Sequence, residues 1–245
     1  RDFPHLGAPL CDEAEELAEL PVPEVENEIT APLLEAVRLA AGTLDRPLIV
    51  GMTGPYTLGS VLGGSTDFMM NCAGEPEETH AFLENITAFL TAYASAYKEA
   101  GANGILIAEP ATAMISPAMM EEFSNDYLSK IIHVVQDDRF AVIYHNCGAV
   151  NAHLDVIGEL DAAAFHFGSD VDLQRADRKI PGDRPIMGNL DPRRFLGGGD
   201  PDADPAALFA AYGTLSRWIA STGCDLSPGV EAQTAHAFIE HMMRH

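Results

Sequence analysis

The residues with the clearest chemical potential lie together in Tyr144-His145-Asn146-Cys147-Gly148. In an extended strand, residues two apart leave the backbone on the same side, so His145 and Cys147 project together. Imidazole and thiolate are preferred donors to zinc, and a His-x-Cys pair offers two of them in fixed relation. Gly148 then permits a sharp turn. The same pattern equally describes a buried histidine bonded to backbone beside an inert thiol. The pair alone leaves both readings open, and a metal needs at least a third donor.

Other candidates are single residues. Glu109 closes the apolar run GILIAEP (104–110), where a carboxylate can serve as ligand, base or substrate anchor, or simply cap a neighbouring loop. Asn189 and Asp191 in GNLDP can bind substrate, although Asp before Pro is also an ordinary loop and helix-start device. His166, inside AAFHF, reads as a core histidine. His236 and His241 are five residues apart, about 140° around a helix, and cannot share a metal on one face. The chain contains no G-x-S-x-G elbow, no phosphate-binding loop and no dinucleotide fingerprint after its first strand.

The elements that must position these residues form an alternating series. Apolar strand-like runs occupy 47–54, 104–110, 141–148, 163–169, 184–191 and 224–229, with amphipathic helical stretches at 78–101 and 116–136. Such alternation predicts a parallel sheet covered by helices. Each run ends in residues able to do chemistry, and ligands bind at the carboxyl ends of parallel strands. We read the fold as α/β, a (β/α)8 TIM-type barrel in a single domain over 1–245, with two strands unaccounted for. Residues 12–28 are acidic and precede a helix around PLLEAVRLAAGTL, together a solvated segment covering the barrel. GGGDPDADP (197–205) reads as a surface loop.

Composition narrows the partners. Fourteen basic residues stand against 37 acidic ones for a formal charge of -23, which argues against a nucleic-acid or anionic-membrane partner. Without a bilayer-length apolar run or a signal pattern, the expectation is a soluble cytoplasmic protein. Four separated cysteines do not read as a disulfide framework. The chain opens on Arg1, and we expect an N-terminal portion outside this numbering. An incomplete barrel would expose strand edges, so a longer protein or a covering partner, such as a second copy in a homo-oligomer, is expected.

Read in order, GMTGPYTLGSVLGG, AGANGILIAEPATAMISPAMMEEF, YHNCGAV, IMGNLDP and DLSPGVE resemble the uroporphyrinogen decarboxylase superfamily. Within it they are most similar to the corrinoid-linked methyltransferases of the methylcobamide:coenzyme M kind. The resemblance implies a (β/α)8 barrel whose opening strands precede the present region. It also implies a zinc ion held by His145 and Cys147, a corrinoid carried by a partner protein, and a small-molecule thiol or methyl donor. Glu109 would be catalytic, tuning or anchoring, while Tyr56, Asn189 and Asp191 would bind substrate.

The family's third ligand is a cysteine directly after Ser-Pro-Gly, where this chain has Val230. Cys224 lies six residues earlier, about 20 Å along an extended strand, and is expected at the opposite end of the barrel. Either another donor, Glu109, His166, Asp191 or Glu231, completes the site, or the metal is weakly held or absent. Two alternatives accompany this reading: a metal-free decarboxylase-like lyase, and a degenerate member that only binds a corrinoid protein. The decarboxylases' Phe-Asp-Ser-Trp signature is replaced here by Ile107-Ala108-Glu109-Pro110, and the strand-end loops carry mainly Arg193 and Arg194.

Overall fold

Strand-forming runs rich in Ile, Val, Tyr and Phe pair side by side in chain order, and helices cross back over one face of the sheet they make. The computed structural model describes residues 8–11, 13–195, 203–226 and 229–244. The first part contains α1 (Ala14–Ala18), α2 (Thr30–Thr43), β1 (Ile49–Thr53), α3 (Pro55–Gly63), α4 (Ser65–Gly74) and α5 (Pro76–Glu99). There follow β2 (Gly104–Ala108), α6 (Pro117–Met120), α7 (Asp126–Val135), β3 (Ala141–Asn146), α8 (Leu154–Gly158) and β4 (Ala164–Phe167). The chain ends with α9 (Leu173–Lys179), β5 (Ile186–Leu190), α10 (Ala203–Tyr212), β6 (Trp218–Thr222) and α11 (Ala232–Met243).

All five strand pairings are parallel, and the order β1-β2-β3-β4-β5-β6 is that of a (β/α) barrel wall. Among the described residues β1 and β6 are its two edges. Ile105, Ile107, Val142, Tyr144, Phe165 and Phe167 alternate along β2, β3 and β4 and are wholly buried in the core. That core includes Leu83 and Leu90 of α5 and Leu128 and Ile131 of α7. The intervening residues, Leu106, His145 and His166 among them, face the other way and line a cavity of about 600 Å³.

The expected helices form with two adjustments. The stretch expected at 78–101 is α5, ending before Gly101, whose φ of +102° suits a residue without a Cβ. The stretch expected at 116–136 starts at Ser116, whose hydroxyl accepts the Met119 N–H, and is interrupted by a π-helical turn at Glu121–Asn125. The acidic N-terminal stretch carries α1, and its Leu17 is buried in the core. Of the loop expected at 197–205, residues 197–202 lie outside the described residues. No helix among the described residues is long and apolar enough to cross a membrane.

The last strand differs from expectation. It spans Trp218–Thr222 rather than 224–229, because Trp, Ile and Thr are strand formers whose backbone pairs with Ile186 through Leu190. Arg217 anchors the entry to β6. Its Nε lies 2.7 Å from Asp177 Oδ1, and its Nη atoms donate to the carbonyls of Ile180 (2.8 Å) and Gly182 (2.9 Å). Arg217→Ala strips donors from these acceptors, with an expected loss of about 3 kcal/mol in urea unfolding. An unchanged midpoint would show that the backbone pairing alone registers β6.

Candidate metal centre

His145 is the fifth residue of β3, and Cys147 lies just past the strand end on the same side. Cys224 stands two residues beyond β6. In a flat sheet three strand spacings would separate the ends of β3 and β6 by about 14 Å. Here one donor atom from each of His145, Cys147 and Cys224 lies within 4.8 Å of the others. Sheet curl and the close stacking of three strand-end loops remove the difference. A Cβ on Gly168, after β4, would lie 2.6 Å from the Cys147 backbone, and one on Gly223, after β6, would lie 2.8 Å from the Ser169 nitrogen.

The expectation that Cys224 sits at the far end of the barrel is therefore overturned. The strand stops at Thr222, so Cys224 belongs to the carboxyl-end loop. The signal was present in the sequence, in strand formers at 218–222 followed by Gly223, but the later Ser-Pro-Gly drew the strand six residues too far. The four residues expected as third donors do not join the cluster. His166 points its Nε2 at the Thr222 carbonyl (2.8 Å), and Asp191 is paired with Arg193 (2.8 Å). Glu231 is exposed before α11, and Glu109 lies on the other face of the sheet. Val230 does not contribute a donor.

Hydrogen bonding selects the histidine tautomer. His145 Nδ1 lies 3.2 Å from the His166 carbonyl, which can only accept, so Nδ1 carries the proton and Nε2 keeps a free lone pair. Burial, and next the neighbouring His166 ring, push the His145 pKa down to about 4. The imidazole is thus neutral at pH 7, the form that ligates a metal. Burial and the nearby Cys224 push the Cys147 thiol up to about 11. One neutral imidazole and two thiols suit zinc, and three protein donors leave a fourth position for water or substrate, the pattern of catalytic zinc sites.

The remaining candidates are placed as follows. Glu109 is fully buried, and its carboxylate accepts the backbone N–H groups of Tyr56 (3.0 Å) and Thr57 (2.8 Å) at the start of α3 and the Ser124 hydroxyl (3.2 Å). Burial raises its pKa to about 7 against the opposing pull of the bonds from Thr57, Tyr56 and Ser124. Tyr56 turns its ring into the core, 5.3 Å from that of Phe68. Asn189 donates to the carbonyls of Gly168 (2.9 Å) and Val171 (2.7 Å), bracing the loop that stacks on Cys147. Asp191 lines a smaller cavity of about 240 Å³ that adjoins the centre, sharing Cys147 and Cys224 with the larger one. Arg193 holds its carboxyl below the usual carboxylate range.

The family described as Uroporphyrinogen decarboxylase (URO-D) matches residues 1–245. The chain belongs to the URO-D family. It is 28% identical over 234 residues to the uroporphyrinogen decarboxylase of Pseudomonas aeruginosa (strain LESB58), covering 90% of this chain and 65% of that protein. It is 26% identical over 215 residues to the methylcobamide:CoM methyltransferase MtbA of Methanosarcina acetivorans, covering 86% and 61%. The chain thus spans 65% of the length of the first of these curated relatives and 61% of the second. Its fold matches that of a methyltransferase from Methanosarcina mazei with a TM-score of 0.83 at 24% identity, over 93% of this chain and 68% of the other. A B12-independent methionine synthase from Shewanella sp. W3-18-1 shares the fold at a TM-score of 0.64 and 12% identity, over 86% and 64%. The expected resemblance to the superfamily and to its corrinoid-linked methyltransferases, and the α/β barrel-type sheet, are thus both found.

Glu109 gives this URO-D family member a testable pH signature. Between its ordinary 4.5 and about 7 the unfolded chain has released this proton while the folded chain keeps it, so stability falls as pH rises through that window. Relative to Glu109→Gln, the wild type is expected to lose roughly 3 kcal/mol across the window and nothing further above it. Urea unfolding at several pH values checks this. A pH-independent difference would mean that the carboxyl is ionised throughout.

Proposed function

We propose that the site serves methyl transfer between a corrinoid carried by a partner protein and a small thiol, with zinc held by His145, Cys147 and Cys224. The observation that carries the reading is the convergence of these donors at the mouth of the larger cavity. When bound there, zinc would supply a Lewis-acidic centre that keeps the acceptor thiol ionised at neutral pH. His145, locked by the His166 carbonyl, presents Nε2, and the two cysteines present sulfur from separate loops. Leu106, Ala108 and Pro110 supply apolar wall that limits water around the reacting sulfur. A methyl-corrinoid presented by the partner would supply the methyl group and keep the electron pair of its cobalt–carbon bond, while His145, Cys147 and Cys224 would hold the zinc that binds the acceptor sulfur, whose proton would leave to solvent.

The Methanosarcina acetivorans relative is a methylcobamide:CoM methyltransferase by name, which supports the reading at the level of reaction type. A second reading, a metal-free lyase acting on a tetrapyrrole, is favoured by the decarboxylase name of the Pseudomonas relative. Against it stands the charge of the site. Of the described residues lining the two cavities, the one with a permanent positive charge is Arg193, and Asp191 already pairs with it. The described lining thus offers a carboxylate one guanidinium, which is already paired.

Elemental analysis tests the proposal. Protein purified without chelator is expected to hold about one zinc per chain, and Cys147→Ala or Cys224→Ala to lose it. Adding Val230→Cys to Cys224→Ala is expected not to restore it. Wild-type protein that stays metal-free when zinc is supplied, yet binds a porphyrinogen tightly, would replace methyl transfer with the lyase reading.

A further inference from the structure

Asn146 sits between two of the three donors, and strand alternation sends its side chain to the face opposite theirs, toward the helix layer. It is wholly buried there. Burying a carboxamide is unfavourable unless its hydrogen-bonding groups are paired. Nδ2, with two hydrogens to donate, is surrounded by the Glu109 carbonyl (2.6 Å), Thr112 Oγ1 (2.9 Å) and Tyr144 Oη (3.1 Å), while Oδ1 accepts the Gly148 N–H (2.9 Å). The Gly148 N–H demands an oxygen, which settles the orientation of the amide.

This arrangement brackets Cys147. The Asn146 carboxamide reaches over the cysteine to Gly148 and ties the turn to the segment Pro110–Met114. That segment is itself closed by the Thr112 hydroxyl donating to the Glu109 carbonyl (2.7 Å). Gly148 is packed so closely on Ala113 that a Cβ would approach the Ala113 methyl to 2.4 Å. One strand register back, the Glu109 N–H donates to the His145 carbonyl (2.9 Å). The backbones of both His145 and Cys147 are therefore held by one buried polar knot that does not line the cavity.

We propose that Asn146 is a positioning residue for the metal centre, its carboxamide holding the Cys147 turn so that the sulfur stands beside His145 and Cys224 before metal arrives. The inference rests on the metal reading of the site. Asn146 touches neither donor atom nor cavity, so its effect passes through the Cys147 backbone. Removing such support disorders one ligand, and the loss appears in metal affinity and geometry as well as in stability.

The test uses Asn146→Leu, near in size, and Thr112→Val, which removes one anchor and leaves the asparagine in place. Leu128→Ala, in the core between α7 and the sheet, is the control for destabilisation alone. Zinc affinity is measured by competition with a chromophoric chelator, and cobalt(II) substitution reports thiolate ligation through its charge-transfer absorption. Asn146→Leu is expected to bind zinc about 10- to 100-fold more weakly with a diminished thiolate–cobalt band, and Thr112→Val to shift the same way by less. Leu128→Ala is expected to lower the melting temperature with affinity and spectrum unchanged. Wild-type affinity and spectrum in both knot variants would overturn the inference, as would an equal loss in Leu128→Ala. If Asn146→Leu does not fold, Thr112→Val decides alone. A wild type that binds neither metal would fail the metal reading itself, and the inference with it.

Discussion

The close approach of the loops after β3, β4 and β6 is the constraint on which the candidate site depends. Gly168 lies against the Cys147 backbone and Gly223 against Ser169, with no space for a side chain at either contact. Without that stacking, donors from two strands three spacings apart would not meet. The supports are polar and buried: Asn189 braces the Gly168 loop, and Arg217 anchors the entry to β6. The metal-capable cluster is thus a property of three loops held in register.

The end of β3 divides its work between two faces. His145 and Cys147 open toward the cavity, where burial lowers the imidazole pKa and raises that of the thiol. Asn146 faces the helix layer and joins Glu109, Thr112 and Tyr144. Glu109 meets the N-terminal N–H groups of α3, where a carboxylate is favoured by unpaired donors and the helix dipole. Chemistry-bearing residue types occur on both sides, and only one side touches the space a substrate could enter.

Family membership and sheet topology agree at the level of fold. The URO-D family embraces relatives named as decarboxylase and as methyltransferase. Among the described residues, one imidazole and two cysteine sulfurs converge at the larger cavity, a donor set of the kind that binds soft metal ions. The second sulfur, that of Cys224, comes from the turn directly after β6.

The sequence by itself determined the parallel α/β architecture, five of the six strands and the pairing of His145 with Cys147. Those features follow from local periodicity: apolar runs bounded by Gly and Pro, and the two-residue repeat of a strand. The tertiary structure alone decided the third donor, the outward burial of Glu109 and the retreat of Tyr56 into the core. Each turns on where a strand stops and which face of the sheet a residue reaches. Trp218–Thr222 pairs with β5 and ends before Cys224, and a shift of six residues carries a side chain from one end of the barrel to the other. Glu109 stands one residue past Ala108, and a single step along a strand exchanges cavity for helix layer. Local pattern does not encode sheet curl or the stacking of loops, so the meeting of three donors from two distant segments became visible only in the fold.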